Sequence, residues 1–261
     1  MLHEISPWYH REREVSSMKH EEVARRYQTL ITQVDKVARS VGKTGQDITI
    51  VVAAKYGTDN QIIELGSQPG IIFGENRVSD LLTHQSCVDQ RPTTNPSIPL
   101  RASDQRPIWH FIGHLQTNKI NKVVGKISML QSLDSLHLAQ ALDKRLKILK
   151  LPKFPILIEI NIARDPKKFG IDPAKLFDFL SSLSPYSLLS IEGLMTMGKV
   201  WENEKEARVH FAKMRKLFEK LQTIKQPNLR PRYLSMGMSS DYQWAIEEGA
   251  TMIRVGRALF K

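Results

Sequence analysis

Cysteine is almost absent from this chain, since Cys87 is the single one among 261 residues. An internal disulfide is therefore excluded, which is typical of proteins in a reducing compartment. A catalytic thiol is the alternative role for Cys87, but no recognised motif surrounds it. The cysteine content favours a cytoplasmic protein.

Long apolar segments are also missing. No run of about 18 apolar residues occurs, so we expect no transmembrane helix and no membrane partner. Residues 1–18 carry several charged side chains and no apolar core, so we expect no signal peptide. We interpret residues 1–18 as a flexible N-terminal extension.

The balance of charge is basic, with 38 Lys and Arg against 27 Asp and Glu and a net charge of +11. Such an excess raises the question of nucleic-acid binding. However, the basic residues are spread over segments with helical periodicity, and no nucleic-acid-binding motif is found. We expect no specific nucleic-acid partner, and the charge fits attraction of phosphorylated metabolites.

Short apolar segments alternate with amphipathic ones from residue 48 to the end. Eight of them are strand candidates: 48–55, 70–74, 108–113, 127–134, 154–161, 188–197, 233–237 and 252–257. Apolar strands separated by helices are typical of a parallel sheet covered on its outside, and eight units predict an α/β fold, a single (β/α)8 TIM-type barrel. An open doubly wound sheet is the alternative, but no G-x-G-x-x-G follows the first strand.

Two further segments complete the predicted domain, which spans residues 19–261. Residues 19–40 repeat apolar side chains at helical spacing and predict an extra N-terminal helix packed against the barrel. Residues 85–106 are rich in Pro, Ser, Thr and Arg, which predicts an inserted surface loop before the third strand.

Lys55 ends the apolar first strand, and active sites of TIM barrels lie at the C-terminal ends of the strands. A partly desolvated ammonium group has a lowered pKa, and the neutral amine can form a Schiff base with an aldehyde. The alternative is an ordinary surface lysine where the strand reaches water.

Two glycine-containing loops follow the seventh and eighth predicted strands. Ser235–Ser240 supplies hydroxyl groups and leads into a short helix, predicted over 240–247, and Gly256 lies at the end of the eighth strand. Loops at these strands often bind phosphate in this fold, although an ordinary turn with a serine cap would give a similar pattern.

Arg254 lies between Ile253 and Val255 and should point to the opposite face of the strand. An inward guanidinium needs a partner, either a ring nitrogen of a cofactor or a barrel carboxylate such as Glu159. His110, within the third strand, is interpreted as a hydrogen-bonded core histidine, and no spacing of ligands predicts a metal site.

Several motifs together resemble a known family, the pyridoxal 5′-phosphate (PLP) homeostasis proteins, which are similar to the barrel domain of alanine racemase. They are Val52–Lys55, Phe73–Asn76, Trp109–Lys119, Ile191–Met195, Leu234–Ser239 and Arg254–Gly256. The segments WHFIGHLQTNK and LSMGMS are the most specific, and the match covers nearly the whole predicted barrel.

The resemblance implies a cofactor, PLP, and a role in vitamin B6 homeostasis without catalytic turnover. The residues implied to bind PLP are Lys55 through a Schiff base, Asn76 beside the cofactor, Ser235, Gly237, Ser239 and Gly256 around the phosphate, and Arg254 near the pyridine nitrogen. An arginine there would suppress the electron-sink chemistry of most PLP enzymes. Ala54 and Tyr56-Gly57 depart from the family pattern, which has Ser or Thr before the lysine and a Lys-Pro-like segment after it.

Two other functions remain open from the sequence. A PLP-dependent amino-acid racemase needs a second acid–base group, which alanine racemase takes from a further domain, and we expect none here. A Schiff-base aldolase would use Lys55 without PLP. Besides PLP, the resemblance makes PLP-dependent apo-enzymes candidate partners, and we expect a monomer or weak dimer.

Overall fold

Eight parallel strands close into a barrel in the order of the chain. The computed structural model describes residues 7–89, 106–198 and 201–261, with side chains from Glu22 onward. The strands are β1 Thr49–Ala53, β2 Ile72–Glu75, β3 Ile108–Phe111, β4 Met129–Leu133, β5 Phe154–Glu159, β6 Leu189–Met195, β7 Leu229–Ser235 and β8 Met252–Val255, with β8 paired to β1. The predicted (β/α)8 barrel is confirmed.

Helices surround this sheet. They are α1 Pro7–Ser40, α2 Asp59–Leu65, α3 Val78–Asp89, α4 Ile120–Val123, α5 Leu136–Ile148, α6 Leu176–Ser182, α7 Glu204–Gln222, α8 Tyr242–Glu247 and α9 Arg257–Phe260. None of these helices, over the residues described, is long and apolar enough to cross a membrane.

The core has two layers because successive side chains of a strand point to opposite faces. The barrel interior is filled by residues from many strands, among them Val51, Met129, Leu157, Met195 and Met252. The alternate residues face the helices, where Val52, Ile253 and Val255 join the larger outer cluster. Met252 and Arg254 therefore point inward, which confirms the orientation predicted for Arg254.

The extra helix α1 packs against α2, α8 and α9. Val23, Leu30 and Val34 are buried in this contact. Tyr242 of α8 donates a hydrogen bond from its hydroxyl to Gln33 Oε1 at 2.9 Å. The helix thus covers the barrel where the first and last strands meet.

Three boundaries differ from the sequence prediction by four residues or more. Helix α1 begins at Pro7 rather than at residue 19, and a proline is well suited to the first turn of a helix because its missing N–H has no helical partner there. Residues 85–89 belong to α3, where Val88 packs into the core, so the predicted loop is wrong for them. Residues 1–6 and residues 90–105 of the predicted loop lie outside the described part. The flexibility of residues 1–18 stays a prediction. Strand β7 begins at Leu229, four residues before its predicted start.

Candidate functional site

A cavity of about 1020 Å³ opens at the C-terminal ends of the strands. It brings together five of the predicted site residues: Lys55, Asn76, Ser239, Arg254 and Gly256. Ser235 and Gly237 do not line it: both are buried, Ser235 at the end of β7 and Gly237 in the loop that follows. A volume of this size accommodates a cofactor-sized ligand.

Lys55 lies in a short 3-10 turn, Ala54–Tyr56, that follows β1 directly. The turn is closed by a hydrogen bond from the Gly57 amide to the Ala54 carbonyl at 2.8 Å. The Lys55 side chain is exposed at the cavity mouth, with its Nζ 5.1 Å from the centroid of the Tyr56 ring. The partial desolvation expected for Lys55 is therefore wrong for the described structure, because the lysine follows the strand instead of ending it.

Gly256 allows the end of β8 to approach this turn closely. A Cβ atom at Gly256 would lie 2.4 Å from Cδ2 of Tyr56 and 2.9 Å from the carbonyl oxygen of Ala53. The absence of a side chain thus allows Lys55 and the end of β8 to line the same cavity.

Ser239 faces the start of α9. Its hydroxyl oxygen accepts hydrogen bonds from the amides of Gly256 at 3.2 Å and Ala258 at 3.3 Å. Ser240 beside it is exposed, as is Arg257. Hydroxyl groups, backbone N–H groups and a guanidinium gathered in this way suit an anion such as a phosphate.

Gly237 shapes the same loop from below. A Cβ atom at Gly237 would lie 2.6 Å from the Cβ of Ala245. The carbonyl of Gly237 accepts a hydrogen bond from the Arg254 amide at 3.0 Å. The loop is also held by Asp241, which accepts from the Met238 amide at 2.5 Å and from Trp201 Nε1 at 2.7 Å.

Arg254 extends from β8 to the floor of the cavity and is only 3% exposed. Its Nη1 donates to Ser235 Oγ at 2.6 Å, and its Nη2 donates to the Thr196 carbonyl at 2.7 Å. Burial lowers the pKa of Arg254 to about 10, so the group remains charged at neutral pH. Its Nε has no hydrogen-bond partner.

Ser235 continues the hydrogen bonding of Arg254 into the barrel. The Ser235 hydroxyl donates to Gln131 Oε1 at 2.8 Å, and Gln131 Nε2 lies 3.0 Å from His110 Nδ1. Burial lowers the pKa of His110 to about 4, so the ring is neutral and Nδ1 accepts. His110 is thus the core histidine expected from the sequence, and Ser235 orients Arg254 instead of facing the cavity.

The carboxylate alternative for Arg254 is not realised in the residues described. Their ion pairs within 4.0 Å include none between Arg254 and Glu159. Burial, helped by the nearby charge of Asp134 and opposed by that of Arg254, raises the pKa of Glu159 to about 7. Glu159 is therefore partly protonated near neutrality.

Glu159→Gln should change how stability depends on pH. The pKa of Glu159 is about 7 in the folded chain and 4.5 ordinarily, so unfolding releases its proton between these values. Wild-type stability contributed by the neutral carboxyl is complete below pH 4.5 and is lost as pH rises through 7. The glutamine is neutral throughout and should be more stable than wild type at pH 8 by on the order of 3 kcal/mol. Urea unfolding of both proteins at pH 5 and pH 8 measures this, and a constant difference would contradict it.

Asn76 follows β2 and packs against Gly113, where a Cβ atom would lie 2.4 Å from the Asn76 carbonyl oxygen. Its side-chain Oδ1 is buried without a hydrogen-bond partner. Together with Nε of Arg254, it gives the cavity one unsatisfied acceptor and one unsatisfied donor. Unpaired buried polar atoms are costly in a folded protein, so both point to a bound ligand that satisfies them.

Sequence reasoning missed other residues of the cavity. Trp201, Lys168 and Asp241 line it, but they lie in loops without strand-like patterns. The hydrogen-bonding role of Gln131 beneath the cavity had a signal in the sequence, because Gln131 is a polar residue in a largely apolar strand.

The site suits a particular kind of ligand. Lys55 can react with a carbonyl group, Ser239 and the start of α9 suit an anion, and Nε of Arg254 can donate to a ring nitrogen. The described part of the chain contains no group of three His, Cys, Asp or Glu side chains arranged for a metal ion. An aromatic aldehyde with a phosphate group, the chemistry of PLP, fits these contacts.

Comparisons with known proteins point in the same direction. The family model "Alanine racemase, N-terminal domain" matches residues 72–261. The pyridoxal phosphate homeostasis protein of Aquifex aeolicus is 31% identical over 90% of this chain and 96% of its own length. The protein of the same name from Helicobacter pylori is 33% identical over 89% of this chain and 95% of its own length.

A solved structure is similar as well. PipY of Synechococcus elongatus, in a structure with PLP bound, is 30% identical and aligns with a TM-score of 0.74. The alignment covers 92% of this chain and 100% of that one.

Proposed function

Since the chain belongs to the pyridoxal phosphate homeostasis protein family, we propose that it carries PLP as a Schiff base on Lys55 and takes part in intracellular PLP homeostasis without catalytic turnover. The observation that carries this proposal is Arg254, whose buried Nε lacks a partner on the floor of the cavity that Lys55 lines. The solved structure of a relative with PLP bound supports the choice of cofactor.

Each residue has a distinct part in this proposal. Lys55 attaches the cofactor aldehyde. The Ser239 hydroxyl, which is oriented by the amides of Gly256 and Ala258 and keeps its own hydrogen to donate, holds the phosphate. Asn76 lies beside the ring, and Arg254 donates from Nε to the pyridine nitrogen. Ser235 and Gly237, predicted to lie around the phosphate, would act through their neighbours: Ser235 orients the guanidinium and Gly237 shapes the loop.

Arg254 also supports the absence of turnover. PLP supplies an electron sink to enzymes that stabilise carbanions at the substrate, and this sink is strongest when the ring nitrogen is protonated. A guanidinium donates hydrogen bonds and cannot accept a proton at neutral pH. With Arg254 opposite it, the ring nitrogen would be held as an unprotonated acceptor, which would weaken the electron sink.

A PLP-dependent racemase is the second candidate, favoured by the match to the alanine racemase domain. It requires an acid–base group facing Lys55 from the other side of the bound amino acid. The PLP-loaded protein should therefore be incubated with L-alanine, and formation of D-alanine followed by chiral chromatography. We expect no conversion above that of free PLP. Clear conversion that disappears in Lys55→Ala would overturn the carrier assignment.

The proposal extends to partners and location. PLP-dependent apo-enzymes are the proposed recipients of the cofactor, and the cytoplasm is the proposed compartment. The proposed oligomeric state is a monomer or weak dimer.

A further inference from the structure

A second cavity lies outside the barrel, between α7 and the segment that follows β5. It has a volume of about 430 Å³ and is lined by Ile162, Ala163, Arg164, Pro173, His210, Lys213, Lys216, Leu217 and Lys220. Its floor is apolar and its rim is cationic, with no carboxylate among these lining residues. It shares no lining residue with the cavity of Lys55. We call it the basic groove.

The lysines of the basic groove form one stripe along α7. Lys213, Lys216 and Lys220 follow one another at intervals of three and four residues, which places them on the same face of the helix. All three are exposed, and the stripe from Lys213 to Lys220 is about 10 Å long.

These lysines differ from the arginines of the same helix. Arg208 pairs with Glu204 at 2.7 Å, and Arg215 pairs with Glu248 at 3.1 Å. By contrast, the ion pairs found among the described side chains of α7 include none formed by the three lysines. The stripe is therefore a local excess of positive charge, which an anionic partner would neutralise.

Arg164 adds a further cation from the opposite wall. Its backbone has a φ of 53°, in the left-handed region that residues with side chains seldom adopt. Its Nε lies 3.6 Å from Asp172, and the side chain is 66% exposed. Because Arg164 pairs with Asp172, the excess positive charge of the basic groove lies on the wall formed by α7.

We propose that the basic groove docks an acidic segment of another protein, with an apolar side chain on Ile162 and Leu217 and carboxylates facing the lysines of α7. A single phosphate group fits less well, because the cations are spread over about 10 Å instead of converging on one point. A nucleic acid fits less well because the lining contains no Phe, Tyr or Trp on which bases could stack.

A partner in the basic groove would lie beside the mouth of the barrel. Helix α7 follows β6 and begins at the C-terminal end of the strands. His210 of the groove contacts Trp201, which lines the cavity of Lys55, with 4.8 Å between the ring centroids. Docking goes beyond the proposed function and is measured independently of PLP.

The test uses the full chain and a fluorescein-labelled peptide of about twelve residues, long enough to span the stripe, with glutamates around a central pair of leucines. Anisotropy is measured at physiological salt for wild type, for Lys216→Glu/Lys220→Glu, and for Lys144→Glu/Lys205→Glu. The last variant changes the net charge equally at exposed lysines outside the groove. We expect saturable binding that weakens at least about tenfold in the groove variant and less than about twofold in the control.

Four results would overturn the inference. The first is equal weakening in both double variants, which would indicate attraction by net charge alone. The second is undiminished binding when the leucines are replaced by serines. The third is tighter binding of a single-stranded RNA of the same charge, lost in the groove variant, which would assign the groove to nucleic acid. The fourth is no saturable binding up to about 1 mM peptide. Circular dichroism of each variant establishes that the comparison is made between folded proteins.

Discussion

Lys55→Ala is expected to abolish the yellow absorbance of the protein loaded with PLP. The proposed attachment needs the amine of Lys55, and an alanine offers no nucleophile at that place. Because Lys55 is exposed on a turn after β1 and takes no part in the core, the variant should fold with unchanged stability. The measurement is the absorbance spectrum after incubation with PLP and removal of the free cofactor.

Lys168→Ala is the matched control for this prediction. Lys168 lines the same cavity, and its Nζ donates a hydrogen bond to the Gly198 carbonyl at 3.2 Å. We expect the control to stay yellow. A yellow Lys55→Ala protein, or loss of absorbance in the control alone, would show that the attachment site is wrong.

Gly193→Ala is expected to produce the largest loss of stability of any change considered for the barrel. Gly193 of β6 has a φ of 145° and pairs with Tyr233 of β7. A Cβ atom there would lie 1.8 Å from the carbonyl oxygen of Tyr233, and that oxygen belongs to the backbone of the neighbouring strand. The two strands would have to separate, so we expect the free energy of unfolding to fall by about 4 kcal/mol or more.

The control for this prediction is Gly125→Ala. Gly125 also has a positive φ, 87°, but a Cβ atom would meet nothing within 4 Å. It therefore isolates the backbone cost, expected to be about 1 kcal/mol, from the clash between strands. Urea unfolding of the three proteins gives both values, and equal losses in the two variants would show that the close approach of β6 and β7 is tolerated.

Much of the fold could be predicted because its pattern is local. Each strand is a short apolar run, and the alternation of side chains was enough to place Arg254 on the face opposite Ile253 and Val255. The boundary errors have local causes too: residues 85–89 look like a polar loop, yet Val88 packs into the core. Short polar stretches are ambiguous until the packing of their few apolar side chains is known.

The candidate site was less accessible to sequence reasoning. The positions of the strands in the chain predicted which strand ends would meet. They did not predict which side chains would form hydrogen bonds with other protein groups and so be unavailable to a ligand. In the sequence, Ser235 and Ser239 are equally good candidates for a phosphate contact. In the structure, the hydroxyl of Ser235 is hydrogen-bonded to Arg254 and Gln131 inside the barrel. Trp201 is held at the cavity by a hydrogen bond to Asp241, which is 40 residues away in the sequence. No local sequence pattern predicts this contact.

Borohydride reduction followed by peptide mapping determines whether PLP is attached to Lys55. Reduction turns a Schiff base into a stable secondary amine, so the labelled lysine can be identified by mass spectrometry. We expect a phosphopyridoxyl group on the peptide that contains Lys55, with other lysines labelled only at the level of the Lys55→Ala protein. An unlabelled Lys55 in protein that retains PLP would contradict this attachment.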